Sequence, residues 1–145
     1  MDAEALRSLL PWRQPFLMID RMKECVPHER IVTLKNVTCD DAIAPGSELP
    51  GTMVLEGMSQ SAALLFQLSF GAIAPGRVPL LGSLKATWHA PARAGDVILF
   101  AVRAIKMTST MGIFTGSALV EGSPIAEAEL AFAVVDIDRA MGPAG

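Results

Sequence analysis

Two hydrophobic rhythms run along this chain. From Pro50 to Phe70 almost every position is apolar or small, broken by Thr52, Glu56, Ser59, Gln60, Ser61, Gln67 and Ser69. A segment apolar on most of its sides predicts a buried helix rather than a surface one. Pro50-Gly51-Thr52 supplies a start, with Thr52 as the expected N-cap, and Gly71 a stop. Elsewhere the pattern shortens to runs with strand character. Leu17 to Cys25 reads as a first strand. Arg30 to Thr38 alternates, with Ile31, Thr33, Lys35 and Val37 on one face. Leu80 to His89, Asp96 to Met107, Gly112 to Glu121 and Ile125 to Val135 follow, separated by short Pro- and Gly-bearing turns that imply an antiparallel meander. Asp40 to Pro50 and Ala72 to Pro79 read as loops. The order β-β-α-β-β-β-β predicts an α+β fold in which a curved antiparallel sheet of about six strands wraps a long central helix, because a flat sheet would cover only one face of it.

Composition narrows this picture. The 145 residues suit one domain over 1–145, with a core from about 10 to 136, a short helical turn over 1–9 and a frayed tail over 139–145. Hydrophobic residues make up 51% and charged residues 19%, which excludes a disordered chain. A net charge of −3 without a run of Lys or Arg gives no general attraction to nucleic acid or to an anionic membrane. The longest apolar stretch carries Glu56, Gln60 and Gln67, so no membrane span is expected, and the acidic start lacks signal-peptide character. The cytoplasm is the expected compartment. Cys25 and Cys39 match no metal-ligand spacing and read as ordinary, partly buried thiols. A mean hydropathy of +0.41 is high for so small a monomer and points to apolar surface covered by another subunit.

Glu56 is the only charged residue of the helical segment. It is either a group satisfied by Thr52, Ser59 or Gln60 near the positive helix start, or the working carboxylate of a site. His89, at a strand end beside Pro91, reads as structural, and His28, in a turn, as solvated. The methionines Met18, Met53, Met58 and Met107 read as adaptable core packing, with the lining of a tunnel as the minor alternative.

Four ordered motifs carry a family resemblance over residues 10–136. Leu10-Pro11-Trp12-Arg13-Gln14-Pro15-Phe16-Leu17-Met18-Ile19-Asp20-Arg21 is similar to LPHRxPFLLVDR. Lys35-Asn36-Val37-Thr38 matches KNVT. Pro50-Gly51-Thr52-Met53-Val54-Leu55-Glu56-Gly57-Met58-Ser59-Gln60 is similar to PGVLxLEAMAQ, and Gly82 to Asp96 to the following strand and turn. These are motifs of the hot-dog fold 3-hydroxyacyl-[acyl-carrier-protein] dehydratases of the FabZ/FabA type. Where that family's loop reads GHFPGxPxxPG and supplies a catalytic histidine, this chain has the shorter Pro45-Gly46-Ser47-Glu48-Leu49-Pro50-Gly51. Counted from Gly46, Ser47 takes the histidine's place; counted back from Pro50, Glu48 does. The histidine of the first motif is replaced by Trp12.

The resemblance implies dehydration of a 3-hydroxyacyl thioester. A base removes the α-proton, an acid protonates the departing hydroxyl, and donors polarise the thioester carbonyl. It places Glu56 as the acid/base on the hydroxyl and Gly51 and Thr52 as the source of backbone donors. Ser47, Gln60 and Gly82 join Gly51 and Thr52 as substrate contacts. Glu48 is the candidate base if it lies near Glu56, where two carboxylates would share a proton; Asp40 and Asp41 read as turn residues. No cofactor or metal is implied. The substrate arrives on the phosphopantetheine of acyl carrier protein or on coenzyme A, and Arg13, Lys85 and Arg93 read as surface charge, with that arm's phosphate as the alternative contact. A homodimer or higher oligomer is implied, with the third strands edge to edge, or a heterodimer with another hot-dog subunit. Acyl thioester hydrolysis and a non-catalytic acyl-binding or partner subunit remain as alternatives.

Overall fold

The computed structural model describes residues 17–38 and 48–140, and for Arg139 and Ala140 the backbone alone. The expectations for residues 1–9, for Cys39, Asp40, Asp41 and Ser47, and for the chain beyond Ala140 lie outside the described residues. The elements are β1 (Arg21–Val26), β2 (Arg30–Asn36), β3 (Glu48–Leu49), α1 (Gly51–Phe70), β4 (Arg77–Trp88), β5 (Ala92–Arg93), β6 (Val97–Thr108), β7 (Met111–Val120), β8 (Ser123–Asp136) and a closing turn α2 (Ile137–Ala140). Six strands form one antiparallel sheet in the order β1-β2-β6-β7-β8-β4, with α1 packed against it. β3 and β5 form a separate two-residue ladder.

The predicted helix and six long strands are all present. Alternation shows which face each strand turns inward: Ile98, Phe100 and Val102 on β6, and Ala126, Ala128, Leu130, Phe132 and Val134 on β8, are buried. On β2 the inward set is Ile31, Thr33 and Lys35, continued by Val37, as the sequence pattern indicates. Thr33 is accommodated because its hydroxyl lies 2.8 Å from the Ser61 hydroxyl of α1, and Ser61 donates to the Gly57 carbonyl. A buried hydroxyl without such a partner would cost about 1–3 kcal/mol.

The middle of α1, Gln60 to Gln67, is buried at every position. Close packing of helix on sheet depends on a missing side chain at Gly57. A Cβ built there would lie 2.2 Å from Cζ of Phe100, so the β6 ring occupies the space an alanine would need. At the neighbouring Met58, the sulfur packs over Gly116 of β7, where a Cβ would lie 3.1 Å from it. At the far end of α1, the Ser69 hydroxyl accepts from the His28 N–H at 2.7 Å, and the His28 ring meets Phe70 edge-on. The β1–β2 turn is thereby docked onto the helix end; His28 is exposed in the turn, as expected, and is also engaged there.

Most strand ends shift by one or two residues from the sequence expectation, and the larger differences have identifiable settings. β1 begins at Arg21 rather than Leu17, because Leu17, Met18 and Ile19 are buried before the ladder starts. β4 begins at Arg77 and runs through Pro79, which lay in an expected loop. As the outermost strand of its sheet, β4 tolerates a residue with no N–H to donate. Glu48–Leu49 and Ala92–Arg93, expected in loop and turn, pair with each other. Arg139 and Ala140, expected in a frayed tail, close the turn of α2. Among the described residues, no helix is long and apolar enough to cross a membrane.

Candidate active site

The start of α1 is set by Pro50, whose extended conformation (φ −54°, ψ 137°) lies outside the helical region, so that the helix begins at the next residue. Its carbonyl accepts from the N–H groups of Met53 and Val54. The expected N-cap is therefore corrected: the helix starts at Gly51, the cap position is Pro50, and no side chain caps it. Thr52 is one residue inside the helix and exposed. Helix geometry leaves the first N–H groups without intrahelical acceptors, and here those of Gly51 and Thr52 stand at the open end, where the helix dipole is positive.

A cavity of about 400 Å³ opens at this end of the helix, lined by Leu49, Gly51, Val54, Trp88, Ala92 and Ile125, with Glu48 among its lining residues. Gly51 allows the Trp88 indole to lie across the helix start, since a Cβ there would stand 2.6 Å from the indole Nε1. The β3–β5 ladder forms the cavity's rim. Leu49 and Ala92 are opposite one another and buried, whereas Glu48 and Arg93 are opposite one another and exposed. Nη2 of Arg93 lies 3.7 Å from Oε1 of Glu48. Asp96 fixes the other side of this rim by accepting from the Arg93 backbone N–H at 2.8 Å.

The remaining expected site residues separate into two groups. Glu56 is exposed, and its Oε1 accepts from Gln60 Nε2 at 3.2 Å. On a helix it projects roughly 200° round from Val54, which lines the cavity. Within one chain, then, Glu48 and Glu56 do not share a proton: one pairs with Arg93 and the other with Gln60. Gln60 is fully buried and also accepts, through Oε1, the Met18 N–H at 2.8 Å. Gln60, expected as a substrate contact, ties the segment before β1 to the Glu56 carboxylate. Gly82 sits at the irregularity between Leu81 and Ser83 in β4, about 20 Å along the strand from Trp88 at ~3.3 Å per residue. It does not line the cavity.

His89 touches the cavity rim, but its Nε2 lies 2.9 Å from Oε2 of Glu127. Glu127 alternates with buried Ala126 and Ala128, so it stands on the outer face of the sheet. The His89 ring is thus turned outward, consistent with its reading as structural. Sequence reasoning missed Arg93 as a partner of Glu48. A two-residue ladder has no periodicity to detect, and the signal that was available, an Arg beside Gly95-Asp96, is that of any turn.

Comparison with known proteins agrees with this fold. The FabA-like domain family matches residues 10–129. A 3-hydroxyacyl-[acyl-carrier-protein] dehydratase FabZ from Desulforamulus reducens is 36% identical over 140 residues, covering 92% of this chain and 97% of that protein. The FabZ of Enterococcus faecalis is 34% identical over 137 residues, covering 89% and 94%. Among solved structures, the dehydratase heterocomplex ApeI:P from Xenorhabdus doucetiae matches with a TM-score of 0.77 at 14% identity, covering 91% of each chain. Zebra fish thioesterase superfamily member 2 matches at 0.71 with 19% identity, covering 90% and 93%. These structural likenesses establish the hot-dog fold. The sequence matches go further: the chain belongs to the FabA-like family, as a relative of the FabZ 3-hydroxyacyl-[acyl-carrier-protein] dehydratases.

Proposed function

We propose that this protein removes water from 3-hydroxyacyl thioesters to give enoyl thioesters, in fatty acid or related acyl-chain biosynthesis, in the cytoplasm. The observation that carries the reading is the cavity at the start of α1, whose lining brings together Glu48 and Gly51, the first residue of the helix. The open N–H groups of Gly51 and Thr52 polarise the thioester carbonyl. Glu48 takes the α-proton, in place of the loop histidine that this chain lacks, and Glu56 protonates the departing hydroxyl. The acyl chain runs along the apolar wall of Leu49, Val54, Ala92 and Ile125. The substrate is carried on the phosphopantetheine of acyl carrier protein or on coenzyme A, and the reaction uses no metal or further cofactor.

Because Glu56 projects away from the cavity of its own chain, the complete site is built by two subunits, each lending Glu56 to its partner's cavity. Support comes from β4, whose outer edge is unpaired among the described residues and which exposes Leu80, Leu81, Leu84 and Trp88. A long apolar edge strand is a template for pairing with a second copy.

Incubation with a short 3-hydroxyacyl carrier-protein thioester, followed by intact mass, tests the reading. The expected result is loss of one water by the wild-type protein and none by Glu56→Gln. Release of free carrier thiol would instead mean hydrolysis. An unchanged acyl carrier would contradict the reading.

A further inference from the structure

We propose that Arg93 is a catalytic residue of this site: paired with Glu48 before reaction, its guanidinium receives the negative charge that forms on the thioester oxygen. This rests on the dehydratase reading with Glu48 as the base. Arg93 and Glu48 are opposite one another in the β3–β5 ladder, and the ion pair between them spans 3.7 Å. The Arg93 backbone is held on its other side by reciprocal hydrogen bonds with Asp96, 2.8 Å from the Arg93 N–H to the carboxylate and 2.9 Å from the Asp96 N–H to the Arg93 carbonyl. These bonds hold the Arg93 backbone at the rim; Arg93 does not itself line the cavity, and its guanidinium meets the site through Glu48, which does.

Geometry then determines what the cation can reach. A carboxylate that abstracts the α-proton lies against Cα of the substrate. By standard bond lengths the thioester oxygen is roughly 2.4 Å from that carbon. A guanidinium already beside the carboxylate is therefore within hydrogen-bond reach of that oxygen after a side-chain rotation, with no backbone movement. The electron bookkeeping supports the same exchange. As the Cα–H bond breaks, the proton passes to Glu48, which loses its charge, and the electron pair spreads onto the thioester oxygen, which gains it. Arg93 follows that charge over a short distance. The pair then returns to form the Cα–Cβ double bond, the Cβ–O bond breaks, and Glu56 gives the hydroxyl its proton as water leaves. Glu48 releases its proton to solvent and Glu56 recovers one, so the site is restored.

The Glu48–Arg93 pair is well suited to the exchange because both side chains are more than half exposed, at 55% and 66%. Exposed pairs contribute little to stability, so the partner change is not opposed by the fold. The N–H groups of Gly51 and Thr52 supply fixed dipoles at the same oxygen, and Arg93 adds a full charge to them.

Three variants of Arg93, with Glu48→Gln as a control, test this role on the same carrier-linked substrate. Arg93→Gln is expected to lower kcat by about 10²–10³, as for removal of one oxyanion donor, with KM within a few-fold and the thermal midpoint unchanged. Arg93→Lys is expected to retain part of the rate. For Arg93→Ala, added methylguanidinium restores part of kcat, which a purely structural role would not allow, and it does nothing for Glu48→Gln. An Arg93→Gln protein with wild-type kcat overturns the proposal while leaving the dehydratase reading intact, as does one altered in KM alone. A wild-type protein that releases no water overturns both.

Discussion

At the scale of single residues, the chain departs from ordinary preference where packing demands it. Alanine favours a helix over glycine by about 1 kcal/mol, yet Gly57 occupies the buried middle of α1. The Phe100 ring fills the space that a side chain would take. Gly57→Ala is therefore expected to destabilise the protein by about 1–3 kcal/mol through overpacking, seen as a lower urea midpoint with unchanged slope. A raised midpoint would show that the ring yields at no cost. Gln60 is a second such residue. Gln60→Leu leaves the Met18 N–H without its acceptor and Glu56 without its donor. The expected outcome is a loss of about 1–3 kcal/mol in stability together with a fall in kcat. An unaffected kcat would remove Gln60 from the positioning of Glu56. Neither role could be read from the chain, because each depends on a partner brought in by folding: Phe100 from β6, and Met18 from 42 positions away.

At the scale of elements, legibility followed length. α1 could be read because its apolar character continues round the helix and glycine marks its end. The strands β2, β6, β7 and β8 could be read because buried and exposed positions alternate along them. The β3–β5 ladder could not: two residues carry no period, and its ends lie in segments rich in proline and glycine. Nor could the entry of β4 through Pro79, since a proline argues against a strand unless that strand is known to be at an edge. That edge is where the oligomer prediction belongs. Leu81→Asp and Leu84→Asp place charge on the exposed apolar side of β4 and are expected to shift the native mass from oligomer to monomer, measured by light scattering. An unchanged mass would locate any interface elsewhere. By contrast, Arg93→Gln removes only an exposed ion pair at the rim and is expected to change stability by less than about 1 kcal/mol in a denaturant titration.

For the whole molecule, the fold and family were legible in the sequence, and the arrangement of the working carboxylates was not. The sequence left open whether Glu48 and Glu56, eight residues apart, meet. The helix lies between them: Glu48 precedes its start at the cavity, and Glu56 projects from a different side. The account therefore requires a site completed by a second copy. Subunit complementation tests this most directly. Glu56→Gln lacks the acid, and a Glu48→Gln/Arg93→Gln double variant lacks the base and its cation. Each alone is expected to be inactive. After the subunits are mixed and re-equilibrated, half of the dimers carry one intact site of two, so dehydration should return to about a quarter of the wild-type rate. Mixed dimers that form, by native mass, and still release no water would contradict the account and place the whole site within one chain.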